Sequence, residues 1–126
     1  MTRRRLLGLA GTTLAGAAVP GCLSPTLPLP PPDEPESIAF SDDDRWQIRG
    51  ACQPGATVLV KNTATGIIVG VEDRSRSGRY FIEVEGDPCD RAELWQLVDG
   101  ESSSATGFLL EERVNGLPVD GSCSPA

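Results

Sequence analysis

From residue 36 onward the apolar residues recur at every second position, and no window of a dozen residues carries the i, i+3, i+4, i+7 stripe of an amphipathic helix. A chain patterned in this way folds into strands. Residues 45–52 set Trp46, Ile48, Gly50 and Cys52 against Arg45, Gln47 and Arg49. Residues 56–62 place Val58 and Val60 on one face, 66–72 align Ile67, Val69 and Val71, and 78–85 align Tyr80, Ile82 and Val84. Runs at 37–40, 91–98 and 105–111 bring the total to seven; 91–98 turns either Trp95 and Leu97 or Leu94 and Val98 inward, and 105–111 buries Phe108 and Leu110. Pro54-Gly55 and the stretches 62–66, 73–78 and 99–104 are rich in turn formers. Strands with one apolar and one wet face, joined by short turns, build antiparallel sheets packed face to face. The predicted fold is therefore all-β, a small antiparallel β-sandwich of about seven strands, although the same period suits a small closed barrel.

The first 35 or so residues of the 126 read differently and leave room for a single core. Arg3, Arg4 and Arg5 precede an apolar stretch over residues 6–19, followed by Pro20, Gly21 and Cys22. A positive segment, an apolar segment and a small-residue site in that order describe a cleavable export signal over residues 1–21, predicted as a signal helix. At 14 residues the apolar stretch is too short for the roughly 20 residues of helix that a bilayer core requires. Residues 24–35 follow, six of them proline. Proline fixes φ and lacks a donor, so this stretch is predicted to be a disordered linker favouring polyproline II, about 3.1 Å per residue and roughly 37 Å in all.

Val19-Pro20-Gly21-Cys22 resembles the lipobox of bacterial lipoproteins, with Pro20 departing from the common pattern. The resemblance implies that Cys22 is lipidated with palmitate-class acyl chains and that residues 22–36 form the lipidated cysteine and its leash. Two or more chains hold a protein stably on a membrane where one holds it marginally. Residues 2–7, Thr-Arg-Arg-Arg-Leu-Leu, resemble a twin-arginine export signal and serve equally as an ordinary positive segment.

Within the β region, Gly50, Pro54-Gly55-Ala56-Thr57-Val58, Val60 and Asn62, then Asp73, Gly78-Arg79-Tyr80-Phe81-Ile82, Asp99-Gly100 and Ser103 resemble the bacterial immunoglobulin-like modules of exported surface proteins. Carboxypeptidase-regulatory-like domains of transthyretin type share a similar Asp-x-x-Gly-aromatic step. The resemblance implies an immunoglobulin-like domain over 37–114 and a C-terminal tail over 115–126. It also bears on the cysteines. With Cys22 acylated, Cys52, Cys89 and Cys123 remain for one disulfide and one free thiol. An immunoglobulin-like register sets Cys52 and Cys89 at opposite ends, which favours Cys89 with Cys123, while another strand order permits Cys52 with Cys89.

Charge narrows the function. The chain has 11 Lys and Arg against 18 Asp and Glu; removing Arg3, Arg4 and Arg5 leaves 8 − 18 = −10. That field opposes nucleic acid, so no nucleic-acid partner is expected. Histidine is absent, which removes the commonest general base and metal ligand. Asp42, Asp43 and Asp44 are consecutive and cannot all face one ion in an extended chain, whereas Asp87, Asp90 and Asp99 are candidates to meet at a sandwich end. No cofactor, metal or catalytic residue is predicted. The expectation is a non-enzymatic lipoprotein of the cell envelope, held at the outer membrane or cell surface through Cys22. It carries a binding or adhesion module for a protein or cell-surface polysaccharide, with Asp73, Arg74, Arg76, Asp99 and Glu101 in its interaction loops. The second reading is a structural or accessory envelope lipoprotein without a specific ligand. An exposed Trp46 or Trp95 beside Phe81 favours the first reading, and burial of all three the second.

Overall fold

The computed structural model describes residues 27–121 and Cys123. The export segment 1–21 and Cys22 lie outside the described residues. Six strands follow the alternation closely: β1 (Ser37–Phe40), β2 (Arg45–Ala51), β3 (Thr57–Asn62), β4 (Ile68–Glu72), β5 (Arg79–Glu85) and β6 (Arg91–Val98). The seventh run is shorter than expected and becomes β8 (Thr106–Leu109), preceded by β7 (Glu101–Ser102). Two further strands follow, β9 (Arg113–Val114) at the end of the expected domain and β10 (Leu117–Pro118) where a tail was expected from residue 115.

These strands form two antiparallel sheets. One has the order β10-β9-β1-β2-β5, and in the other β4-β3-β6 is flanked beyond β6 by β7 and β8. With β1, β2 and β5 in one sheet and β4, β3, β6 and β8 in the other, the domain is a two-sheet antiparallel β-sandwich. The sheets remain distinct, so the domain is not a closed barrel.

The core is made by the inward member of each alternation. Ile38, Trp46, Ile48, Val58, Val60, Tyr80, Ile82, Val84, Ala92, Leu94, Phe108 and Leu110 form one buried cluster. Removing a large aliphatic side chain from water contributes about 1.5–3 kcal/mol, so this cluster is the main driving force for folding. On β6 the inward residues are Ala92, Leu94 and Gln96, while Trp95 and Leu97 are half-buried on the outer face. The Leu94 register is thus the one adopted, with a polar side chain at the third inward position.

Two buried amides satisfy the backbone where strands leave the core. Asn62 donates from Nδ2 to the Glu85 carbonyl at 3.1 Å and to Asp90 Oδ2 at 3.0 Å, and its Oδ1 accepts from Ala64 N at 2.8 Å. Gly86 is required beside it, because a Cβ there would collide with Asn62 Nδ2 and with Leu110 Cδ1. Toward the other end Gln96 accepts from Gln53 N through Oε1 at 2.9 Å and donates from Nε2 to the Pro30 carbonyl at 2.9 Å.

That last bond corrects the reading of the proline run as a disordered leash. From Pro30 to Pro35 the chain lies against the domain, with Pro32 and Pro35 buried. Thr106 Oγ1 donates to the Pro32 carbonyl, and Glu34 Oε1 pairs with Arg113 Nη1 at 2.9 Å. Proline lacks a donor but keeps its carbonyl, and donors reaching out from the domain hold the strap. The tail is corrected likewise: Val114 pairs with Leu117 across Asn115-Gly116, whose φ values of 52° and 79° are those of a tight two-residue hairpin turn. Ile38 of β1 pairs with Arg113, which joins this hairpin to the first sheet.

Gln96→Ala strands the Gln53 N–H and the Pro30 carbonyl together, and a lost buried partner costs about 1–3 kcal/mol. We expect urea denaturation to show a loss of that size. An unchanged midpoint contradicts a structural role for the strap.

Candidate interaction surface

Two turns at one end of the sandwich contain the residues predicted to make contacts. Glu72 and Leu97 both stand opposite Thr57 in register, so the loop after β4 and the turn after β6 leave the second sheet side by side. The structure treats their residues very differently.

Asp73 is buried, 7% exposed, and faces its own loop. Oδ2 accepts from Gly78 N at 2.8 Å and Gly55 N at 3.1 Å; Oδ1 accepts from Ser77 N at 3.1 Å, Ser77 Oγ at 3.0 Å and Ser75 Oγ at 3.4 Å. Burial pushes this carboxyl up, but donation from Gly78, Gly55 and Ser77 outweighs it and brings the pKa down to about 2. Asp73, expected in an interaction loop, is thus turned inward and organises that loop from within. Arg76, at φ 56°, lies back over the turn at Gly55, where an added Cβ would stand 2.5 Å from its Nη1. Arg74 is exposed and pairs with Glu72 at 3.5 Å, a surface ion pair of little energetic weight.

Asp99 and Gly100, with φ of 50° and 81°, make the two-residue turn between Val98 and Glu101. Asp99 and Glu101 are exposed, and Glu101 Oε2 lies 3.4 Å from Leu29 N of the strap. The suggested meeting of Asp87, Asp90 and Asp99 does not occur. Asp90 and Asp99 flank β6 at opposite ends, separated by its eight residues, roughly 26 Å at 3.3 Å each. Asp90 Oδ2 instead accepts from Asp87 N at 2.9 Å. Among the described residues no group of His, Cys, Asp or Glu is arranged to hold a metal ion.

Cys89 and Cys123 form a disulfide, Cα to Cα 5.3 Å, as the immunoglobulin-like register favours. It fastens the end of the chain to the connection between β5 and β6. Cys52 is free and half-buried beside the strap, and burial pushes its thiol pKa up, away from the reactive thiolate.

The aromatic side chains divide between the sheets. Trp46 is 3% exposed and donates from Nε1 to the Gly86 carbonyl at 2.9 Å. Phe81, 41% exposed, lies on the outer face of the first sheet with the Arg49 guanidinium 4.3 Å from its ring centroid. Trp95 is half-buried on the outer face of the second sheet, opposite Leu59, with Ile68 at 52% exposure on the neighbouring edge strand. Neither tryptophan therefore lies exposed beside Phe81, and Leu59, Trp95, Leu97 and Ile68 form a separate apolar surface on the outer face of the second sheet. Its signal was the odd-position set Trp95 and Leu97, one of the two registers the alternation allowed.

No family model, curated protein or solved structure matches the chain.

Two variants probe this end. In the unfolded chain Asp73 titrates near its ordinary 3.8, and in the fold at about 2. Its stabilisation is whole above the higher value and is lost as pH falls through the lower. Asp73→Asn lowers the thermal midpoint at pH 7 and flattens its dependence on pH between about 4 and 2; a parallel pH profile in both proteins contradicts the hydrogen-bond account. The Tyr80 hydroxyl is buried without a hydrogen-bond partner among the described residues. Tyr80→Phe removes an unsatisfied group, so its midpoint in thermal denaturation stays level or rises; a clear fall contradicts this.

Proposed function

We propose that the chain is an exported lipoprotein, anchored through acylated Cys22, that presents one immunoglobulin-like binding module at the cell envelope and carries out no chemistry. The observation that carries export is the Cys89–Cys123 disulfide. Such a bond persists in oxidising compartments, and an export signal reading over residues 1–21 supplies the route. The absence of histidine from the sequence supports a non-enzymatic role.

The docked strap alters the manner of presentation. With Pro30 held by Gln96, the tether from Cys22 is limited to residues 23–29, at most about 3.5 Å each and roughly 25 Å in all. The domain thus stands nearer the bilayer than a fully extended proline leash allows. Its acidity then keeps it off anionic headgroups instead of laying it flat on them.

A second reading has an observation in its favour. Asp73 is committed to its own loop and Trp46 to the core, which suits a structural or accessory envelope lipoprotein without a specific ligand.

The anchor is tested by Cys22→Ser in cells fed radiolabelled palmitate. The native chain incorporates label and enters the detergent phase on Triton X-114 partition, whereas the variant does neither. Unlabelled native protein retaining Met1 in the aqueous phase overturns the proposal.

A further inference from the structure

A cavity of about 260 Å³ opens at the end of the sandwich opposite the Asp73 loop. Phe40 and Trp46 form one wall, their rings edge to face with centroids 4.9 Å apart. Glu111 and Glu112 line it as well, as do Asp120 and the disulfide-bonded Cys123. Phe40 is 43% exposed, so an aromatic face remains available to an occupant.

Glu111 is the informative residue. It is 7% exposed, and its Oε1 is buried without a hydrogen-bond partner among the described residues. A carboxylate oxygen removed from water and left unpaired is strongly unfavourable, more so than an unpaired neutral group. The nearby cation does not settle the matter. Arg113 stands two residues on and is buried as well; its Nη1 is engaged by Glu34 and by the Gly116 carbonyl, and its Nε, like Glu111 Oε1, is buried without a hydrogen-bond partner among the described residues. No ion pair joins it to Glu111 within 4.0 Å among the described residues.

The charge around the opening has one sign. Glu112 and Asp120 line it, and Asp42, Asp43 and Asp44 stand exposed on the turn that leaves Phe40. A ring face next to carboxylates, in a partly dry cavity, attracts a weakly hydrated organic cation both through the ring quadrupole and through direct charge. A metal ion fits poorly, since the described residues offer no cluster of ligands.

We infer that this cavity is a binding site for a compact organic ammonium group, with Glu111 as its counter-charge and Phe40 as the ring it packs on. The inference deepens the binding-module half of the proposed function and does not depend on the Cys22 anchor. Because Cys123 is part of the wall, the disulfide shapes the site as well as fastening the chain.

The test uses the full chain in detergent micelles with its disulfide intact, and follows backbone amide shifts by NMR during titration. The probes are choline, Nα-acetyl-lysine methylamide, and 3,3-dimethylbutanol, the uncharged isostere of choline. Saturable shifts at Phe40, Glu111 and Glu112 with either ammonium compound, and none with the alcohol, are the expected result. Preference for choline identifies a quaternary ammonium as the natural chemistry, and preference for the lysine derivative a protein side chain. Glu111→Gln, which keeps shape and size, weakens binding about tenfold or more, the loss typical of a charged hydrogen-bond partner. Phe40→Leu, at a half-exposed position that tolerates the change, weakens it too.

Equal shifts with the alcohol reduce the cavity to an apolar cleft and overturn the inference. Unchanged affinity in Glu111→Gln also overturns it, by assigning the carboxylate to Arg113 alone. Native protein that takes up no palmitate label while ammonium binding is intact refutes the anchor and leaves the site standing; labelled native protein that binds neither ammonium compound refutes the site and leaves the anchor standing.

Discussion

A sandwich of two short sheets has two open sides, and the packing of the whole domain depends on how the second is shut. One side closes where β4 of one sheet runs against β5 of the other. The opposite side is closed by the proline strap, whose carbonyls accept from Gln96 and Thr106 and whose Pro32 and Pro35 are buried. Gln96 makes this possible. Placed inward among aliphatic residues on β6, it bonds at once to the turn after β2 and to the strap, so core, turn and strap are satisfied by one side chain. Burying an amide is costly unless its atoms are paired, and here its carbonyl and amino groups both are.

The acidic side chains are handled by a similar division of labour. Asp73 and Asp90 are turned into their own loops, where backbone N–H groups neutralise them more cheaply than scarce cations could. Arg79 and Arg113 are spent on Glu36 and Glu34 in the strap region. Glu111, Glu112 and Asp120 line the Phe40 and Trp46 cavity, and their common sign gives that end of the domain its character.

Much of the architecture was legible from alternation, because β2, β3, β5 and β6 each bury every second residue over most of their length. Trp46, Ile48, Val58, Val60, Tyr80, Ile82 and Val84 all fall on the predicted inner faces. The two-residue strands β7, β9 and β10 were not legible, since a pair of residues carries no period. Asn115-Gly116 was the available clue to the last two, being a turn type whose positive φ values suit those residues. The strap escaped because its hydrogen bonds are donated by residues far along the chain, and composition records only that proline cannot donate. Asp73 shows the limit for function: an acid in a polar loop reads the same whether it faces outward or inward, and only the placement of Gly55 and Gly78 around it decides the matter. Glu111 was passed over for the converse reason, as its burial depends on a chain end brought back by Cys123.

The two ends of the described chain are secured by unlike means, the carboxyl end by a covalent sulfur bridge and the amino end by hydrogen bonds and proline packing. A pull delivered through the amino end therefore loads the weaker fastening first. The strap would detach stepwise and lengthen the chain ahead of the domain, while the sheets and the bridged end stay unloaded. Mechanical tension would in this way be spent on a reversible extension before any strand is disturbed.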